Sequence, residues 1–288
     1  MKDKLKIAML GHKRIPSREG GVEIVVQELS TRMVSKGQKV TCYNRCEHNG
    51  NKSISEYKGV KIKNVFTIKH KGLAAITSSF VGAIYCALKK YDIIHFHAEG
   101  PCAMLWITKL FGKKCIATIH GLDWQREKWG GIATRYIKFG EKIAAKYADE
   151  IIVLSKNVQD YFMKQYDRNA VFIPNGVNVP EVCKADLIKN KWGLNKNDYI
   201  LFLGRLVPEK GIKYLIKAYK KIHTDKKLVI AGASSDTDIF VKELKEMSKD
   251  DNRIIYTGFV KGQVLDVLTQ LNVKTFYTYT KQLYSVYA

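Results

Sequence analysis

The chain has 288 residues, 46% hydrophobic and 26% charged, enough apolar material for one large or two modest folded domains, which excludes a disordered chain. Its net charge of +22 comes from scattered lysines and fits either a solvated surface or attraction to polyanions such as anionic lipid, nucleotide phosphates or nucleic acid. No apolar run reaches the roughly 20 residues of a membrane span, and no signal peptide is found, so we expect a cytoplasmic protein. No nucleic-acid-binding motif is found either, so we expect no nucleic-acid partner.

Short apolar runs alternate with longer amphipathic segments in the first half of the chain. In chain order we predict a strand at 6–11, a helix at 20–36, a strand at 38–43, a hairpin at 58–68, a helix at 73–89, a strand at 92–97, a helix at 101–111, a strand at 114–120, a helix at 132–147, a strand at 150–154, a helix at 156–166 capped by Ser155, and a strand at 170–174. This alternation is typical of a parallel sheet covered by helices on both faces, with ligands at the carboxyl ends of the strands.

A polar segment, 175–197, separates this first half from a second set of units and is predicted to be a linker with a short helix near 185–192. The second set is a strand at 198–203, a helix at 211–223, a strand at 227–231, a helix at 238–249, a strand at 253–257 and a helix at 261–271. We therefore expect a domain at 1–174 with about six strands, a linker at 175–197 and a partial domain at 198–288 with three. The tail 273–288, rich in tyrosine and threonine, is predicted to form neither a helix nor a buried parallel strand, which indicates a truncation or frame change after Asp266, or else a small natural cap.

Several strand ends carry residues suited to bind an anion. Gly20 and Gly21 lie between a strand and a helix, where backbone N–H groups and the helix dipole favour phosphate, although a plain tight turn has the same pattern. Arg205 and Lys210 follow the first strand of the second half, where α/β sheets bind ligands and cations suit an anion, unless they are ordinary surface charges.

Histidines and cysteines offer weaker signals. His120 ends a strand and is either a reacting-centre residue or a structural histidine. His95 and His97 alternate on one strand like a metal pair, but no third ligand is evident, so a structural role is favoured. Cys42 and Cys46 likewise lack matching partners. We expect no metal site and reduced thiols.

Six segments taken together resemble glycosyltransferase family 4, from about residue 6 to about residue 266. They are GHKRIPSREGG at 11–21, HGLDWQREKW at 120–129, IPNGVN at 173–178, GRLVPEKG at 204–211, VIAG at 229–232 and YTGFV at 256–260. The resemblance implies a retaining enzyme of the GT-B fold, an α/β architecture of two Rossmann-like parallel-sheet domains facing each other across a cleft. It also implies an acceptor in the N-terminal domain, a nucleotide sugar in the C-terminal domain, and neither a metal nor a covalent enzyme intermediate.

The same resemblance implies roles for individual residues. Arg205 and Lys210 would contact the donor diphosphate, and the loop of Gly20 and Gly21 would border it. His120 would lie near the reacting centre. The remaining assignments are the acceptor side for Asp123 and Trp124 and the vicinity of the nucleotide base for Phe259.

One part of the family pattern is missing. The family carries two glutamates separated by seven residues near the donor sugar and ribose, and this chain has no glutamate after Leu268. We therefore expect a C-terminally truncated chain with little or no transfer activity. Two hypotheses stay open: an enzyme that moves a sugar onto a glycan or lipid-linked acceptor in surface polysaccharide biosynthesis, peripheral on the inner face of the plasma membrane, or a non-catalytic fragment that only binds acceptor, membrane or partner.

Overall fold

A computed structural model describes residues 4–17, 20–46, 54–70, 72–125, 130–176, 186–233, 238–270 and 275–276. The chain divides into two compact units, Met1–Gly176 and Val177–Ala288. Arg18 of the segment 11–21 and Trp129 of the segment 120–129 lie outside the described part, as does most of the tail.

The first unit is built on an eight-stranded sheet in the order β3-β4-β2-β1-β5-β6-β7-β8. Neighbouring strands are parallel except β3 and β4, which form the antiparallel hairpin that the sequence predicts. The strands are β1 Lys6–Leu10, β2 Lys39–Arg45, β3 Glu56–Tyr57, β4 Val60–Val65, β5 Ile93–His97, β6 Cys115–Ile119, β7 Glu150–Val153 and β8 Val171–Phe172. Because the hairpin adds two strands, the sheet has eight strands where about six were expected.

Helices cover both faces of this sheet. They are α1 Gly21–Ser35, α2 Leu73–Leu88, α3 Glu99–Cys102, α4 Leu105–Leu110, α5 Gly131–Tyr147 and α6 Lys156–Tyr166. Ser155 caps α6 as predicted, since its side chain accepts from the Val158 N–H at 3.4 Å. The single helix predicted at 101–111 is wrong: the N–H groups of Ala103 and Met104 bond three residues back, and this tighter turn separates α3 from α4.

Alternate residues of the central strand β1 enter two different apolar cores. Ala8 and Leu10 belong to one buried cluster, whereas Ile7 and Met9 belong to the other. A strand buried on both faces needs apolar residues at nearly every position, which explains the continuous run KIAML.

The second unit has a four-stranded, fully parallel sheet in the order β11-β10-β9-β12. Its strands are β9 Tyr199–Leu203, β10 Lys227–Ala231, β11 Ile254–Gly258 and β12 Thr275–Phe276, and its helices are α7 Asp186–Trp192, α8 Ile212–Tyr219, α9 Asp238–Ser248 and α10 Gln263–Gln270. Strand β12 corrects the prediction for the tail, because Thr275 and Phe276 pair in parallel with Leu201 and Phe202. A pairing between residues so far apart in the chain leaves no mark on local composition.

Helix α7 lies within the segment expected to be a linker. Its Ile188, together with Leu194, is fully buried and packs with Tyr199 and Leu201 of β9. Those apolar contacts make α7 part of the second unit. Among the described residues, no helix combines the length and apolar character that a bilayer span needs.

Candidate functional site

The order of the strands in the first unit reverses between β1 and β5, and two residues meet there. Gly11 follows β1 with a φ of 105°, and a Cβ atom at this position would lie 2.1 Å from the backbone oxygen of His97. Only glycine permits so close an approach at that φ. Because open parallel sheets bind ligands at such a reversal, this strand edge is the candidate site of the first unit.

Side chains from β2 and α1 hold the loop that follows β1. Asn44 accepts from the Ile15 N–H at 3.0 Å and donates to the Ile15 carbonyl at 2.8 Å. Glu23 accepts from the Lys13 N–H at 3.0 Å. These three hydrogen bonds set the path of the loop. Sequence reasoning missed Asn44 and Glu23, although a polar residue near the end of a buried strand was a usable signal for Asn44.

Gly20 and Gly21 stand at the start of α1, as predicted. Gly20 is the N-cap, and a Cβ atom there would lie 2.1 Å from a carboxylate oxygen of Glu23, whereas Gly21 has nothing within 4 Å. Gly20 thus makes room for the carboxylate that turns back to Lys13. Arg14 lies half-buried in the same loop. Phosphate binding at this helix start remains a prediction.

Four histidines lie at the carboxyl ends of β1, β5 and β6. His95 and His97 share a face of β5, with ring centroids 4.2 Å apart. His95 Nε2 lies 2.7 Å from Thr118 Oγ1, which supports the structural role expected for it. His97 Nδ1 lies 3.1 Å from Nε2 of His120. The predicted residue His120 is therefore held by a buried neighbour rather than standing alone.

Burial favours the uncharged form of His12, His95 and His97. It lowers the pKa of His12 to about 4 and that of His95 to about 3. Burial together with the neighbouring His95, His120 and His12 also lowers the pKa of His97 well below its usual value. Neutral rings donate and accept hydrogen bonds but carry no charge to a substrate.

The loop after β6 is held by two buried glutamates that sequence reasoning missed. Glu99 of α3 accepts from the Asp123 N–H at 2.7 Å. Glu141 of α5 accepts from the Trp124 indole at 2.9 Å, from the Tyr161 hydroxyl at 2.8 Å and from the Tyr166 hydroxyl at 2.6 Å. The predicted acceptor-side residues Asp123 and Trp124 are thereby brought together on one anchored turn.

Burial changes the ionisation of Glu99. Burial raises the pKa of Glu99 to about 10, and the carboxyl groups of Glu141 and Asp123 add to the rise. Glu99 is therefore protonated at neutral pH. Across the turn, the ammonium of Lys138 lies 4.1 Å from the centre of the Trp124 ring, a cation–π contact.

The second unit places three glycines together at the carboxyl edge of its sheet. Gly204 donates to the Ala231 carbonyl at 3.0 Å, and Gly232 donates to the Gly258 carbonyl at 2.9 Å. A Cβ atom at Gly232 would lie 1.8 Å from the Gly204 oxygen. This edge brings backbone close together where α/β sheets accept ligands.

Arg205 and Lys210 lie in the loop that leaves this edge. Between them Leu206 and Val207 are buried, and Leu206 donates its N–H to the Ala233 carbonyl at 3.1 Å, which anchors the loop to the next strand end. Both cations are half-buried. The loop ends at Gly211, which has a φ of 67° and begins α8. Two cations beside a helix start suit an anionic ligand, and their contact with a diphosphate remains a prediction.

Phe259 follows β11 and is 59% exposed. An exposed aromatic ring at a strand end is available for stacking on a flat ligand. Its assignment to the vicinity of the nucleotide base stays a prediction.

Two family models match the chain in succession. Residues 19–180 match the model described as "Glycosyltransferase Family 4", and residues 184–280 match that described as "Glycosyl transferases group 1". The second match extends to residue 280, beyond the Asp266 limit expected for the resemblance.

Curated relatives agree with these matches. An uncharacterised glycosyltransferase of Methanocaldococcus jannaschii, MJ1178, is 29% identical over 217 residues, which are 74% of this chain and 56% of that protein. A phosphatidyl-myo-inositol mannosyltransferase of Mycobacterium leprae is 25% identical over 231 residues, 76% of this chain and 59% of that protein. The chain thus spans a little over half the length of these two relatives.

Solved structures show the same fold. A sucrose-phosphate synthase from Thermosynechococcus elongatus superposes with a TM-score of 0.78 at 19% identity, covering 94% of this chain and 75% of that one. The Anabaena protein HepE in complex with UDP-glucose superposes with a TM-score of 0.73 at 16% identity, covering 94% and 73%. These likenesses confirm the predicted GT-B fold class.

Proposed function

Because this chain belongs to glycosyltransferase family 4, we propose that it transfers a sugar from a nucleotide sugar to a glycan or lipid-linked acceptor. The observation that carries the proposal is the loop 204–211 of the second unit, where two half-buried cations follow a parallel strand and precede a helix. That arrangement suits the diphosphate of a sugar nucleotide. HepE, which shares the fold, is complexed with UDP-glucose.

The chemistry assigned to Arg205 and Lys210 is stabilisation of the leaving group. As the bond from the sugar to the nucleoside diphosphate breaks, negative charge grows on the diphosphate oxygens. Arg205 offers a planar fork of N–H donors and Lys210 a point charge, and both lower the energy of that charge in the transition state. No metal is needed in this scheme.

The acceptor is assigned to the first unit. Trp124 offers an aromatic face of the kind that packs against sugar rings, and Asp123 offers a carboxylate for a hydroxyl. The name of the mycobacterial relative, which specifies a phosphatidylinositol, supports a lipid-linked acceptor. Surface polysaccharide biosynthesis is the process that fits such an acceptor.

A lipid-linked acceptor would bring the protein to the cytoplasmic membrane face. The net charge of +22 favours peripheral attachment to anionic lipid, worth about 1 kcal/mol for each lysine or arginine near the surface. Binding to phosphatidylglycerol vesicles should fall as salt rises, and salt-insensitive binding would argue against this attachment.

The test separates donor binding from transfer. We would titrate the 288-residue chain with UDP, ADP and GDP by calorimetry, then screen nucleotide sugars for product on lipid-linked acceptors by mass spectrometry. We expect one nucleoside diphosphate to bind. Because the chain lacks the family's pair of glutamates, little or no product is expected from the 288-residue chain itself, and detectable transfer would overturn that expectation. Failure of all three nucleotides to bind would overturn the donor assignment.

A further inference from the structure

His97 is the buried partner of the proposed reacting-centre residue. It ends β5 and is fully buried, and its Nδ1 lies 3.1 Å from Nε2 of His120, which directly follows β6. The distance makes this a hydrogen bond, and its His97 side is fully buried. In a bond between two neutral imidazoles, one nitrogen must donate and the other must accept.

The surroundings of His97 decide which ring donates. Its other nitrogen, Nε2, is buried and has no hydrogen-bond partner in the part of the chain that the structure describes. A buried N–H donor without an acceptor is rarer and costs more free energy than a buried acceptor nitrogen without a donor. The proton of His97 therefore belongs on Nδ1, where an acceptor is present.

His12 shows the same pattern on the neighbouring strand end. Asn44 uses its amide N–H to donate to Ile15, so its oxygen is the group that faces His12 Nε2 at 3.0 Å. His12 must then carry its proton on Nε2. The nitrogen left without a partner among the described residues, Nδ1, is again a bare acceptor.

We propose that His97 is a positioning residue that donates its Nδ1–H to Nε2 of His120 and so places the proton of His120 on Nδ1. The catalytic part of this inference rests on the proposed function. It means that His120 lies near the proposed reacting centre as a neutral imidazole with its single proton on Nδ1. His120 Nε2, already occupied as an acceptor, does not serve as a general base.

The proposal requires a neutral His97 ring with one proton, and the surroundings of the ring favour that charge state. The groups that face it are His95 on its own strand, His120 after β6 and His12 after β1, and with burial they lower the pKa of His97 well below its usual value. The ring thus stays neutral throughout an ordinary assay range, and its hydrogen bond does not change with pH there.

The tautomers can be read directly in the protein without substrate. Histidine-selective ¹⁵N labelling of the 288-residue chain, with long-range ¹H–¹⁵N spectra, distinguishes protonated from bare ring nitrogens. Spectra of His97→Asn and His120→Asn supply the assignments. We expect Nδ1 protonated and Nε2 bare in both rings, whereas a protonated Nε2 on His97, or a charged ring, would overturn the proposal.

Kinetics test the consequence for turnover. In His97→Asn the side-chain amide takes the place of Nδ1 and can still donate to His120, whereas His97→Gln extends beyond that position. We expect His97→Gln to lower kcat about tenfold with little change in donor KM, the effect of one lost hydrogen bond, and His97→Asn to restore most of it. Equal losses in both variants would contradict a role for the Nδ1 donor.

His95→Gln is the matched control. It changes the ring that stacks on His97 at 4.2 Å, keeps a group near Thr118, and removes no atom of the hydrogen bond between His97 and His120. We expect its kcat to stay within twofold of the parent. Because the NMR result does not depend on transfer, the expected tautomers in a chain that binds no nucleoside diphosphate would refute the proposed function and leave the hydrogen-bond assignment standing.

Discussion

Glu99 and Glu141, both fully buried, hold two consecutive residues of one turn. Glu99 accepts from the backbone N–H of Asp123, and Glu141 accepts from the indole N–H of Trp124. Glu141 also accepts from the hydroxyls of Tyr161 and Tyr166, so one side chain of α5 ties the turn after β6 to α6. The turn that carries the proposed acceptor residues is thus held in place by side chains of helices α3 and α5.

Glutamine at these two positions should have unequal effects. Glu141→Gln replaces one acceptor oxygen by an NH₂ group, so the remaining oxygen can accept from Trp124 or from the two tyrosines but not from all three. We expect a loss of about 1–3 kcal/mol in the free energy of unfolding, measured with urea. Glu99→Gln keeps an oxygen for the Asp123 N–H and should be milder. A larger loss for Glu99→Gln would contradict the division of roles.

Stability should pass through a maximum near pH 6.5. Burial lowers the pKa of His12 to about 4 and that of His95 to about 3, so their contribution to the free energy of unfolding is present above pH 6.5 and is lost as pH falls. Burial raises the pKa of Glu99 to about 10 in the folded state, so its contribution is present at low pH and is lost as pH rises toward 10.

Glu99→Gln tests the alkaline side of that curve. Between pH 7 and pH 9 the parent should lose about 1.4 kcal/mol of unfolding free energy per pH unit from Glu99, and the variant should not. Glu28→Gln is the control, since Glu28 is a surface partner of Arg32 in α1. Parallel curves for the parent and Glu99→Gln from pH 7 to pH 9 would refute the protonated state of Glu99.

Removal of either proposed phosphate cation should slow transfer. In an intact relative that carries the family's glutamate pair, we expect the substitutions matching Arg205→Ala and Lys210→Ala each to lower kcat by roughly 10²–10³-fold, the scale of one lost transition-state contact. Lys213→Ala is a matched control because Lys213 lies in the following helix and pairs with Glu243 at 2.6 Å. Unchanged kinetics in both test variants would remove the diphosphate assignment.

Two glycines of the first unit should respond differently to alanine. Gly11→Ala adds a Cβ atom 2.1 Å from the His97 carbonyl at a φ of 105°, so it should lower the unfolding free energy by at least about 1–3 kcal/mol. Gly21→Ala adds a Cβ atom with nothing within 4 Å, in the first turn of α1, and should be neutral or slightly stabilising. Calorimetric melting of the two variants makes the comparison, and equal effects would refute the close approach at Gly11.

Chelation of divalent metal should leave transfer unchanged. In the proposed scheme, Arg205 and Lys210 would supply the positive charge that a metal would otherwise provide. Transfer measured with EDTA should stay within twofold of the untreated rate. A loss of activity restored by Mg²⁺ or Mn²⁺ would show that the cations of the chain are not sufficient.

Much of the fold followed from local patterns. The hairpin at β3 and β4, the cap at Ser155 and the helix α1 were predicted because apolar spacing and turn chemistry are properties of neighbouring residues. The break between α3 and α4 and the short strand β12 were not predicted. Each depends on backbone hydrogen bonds that the residue composition of the segment does not reveal.

The sequence by itself determined the order of strands and helices, the family, and the strand ends where Gly20, His120 and Arg205 lie, because each follows from periodicity or from short motifs. Only the tertiary structure decided which buried polar groups meet. His97 and His120 are 23 residues apart and Asn44 and Ile15 are 29 apart, yet each pair is hydrogen-bonded. Strand order and packing bring such residues together, and no local pattern encodes the partner of a buried polar atom.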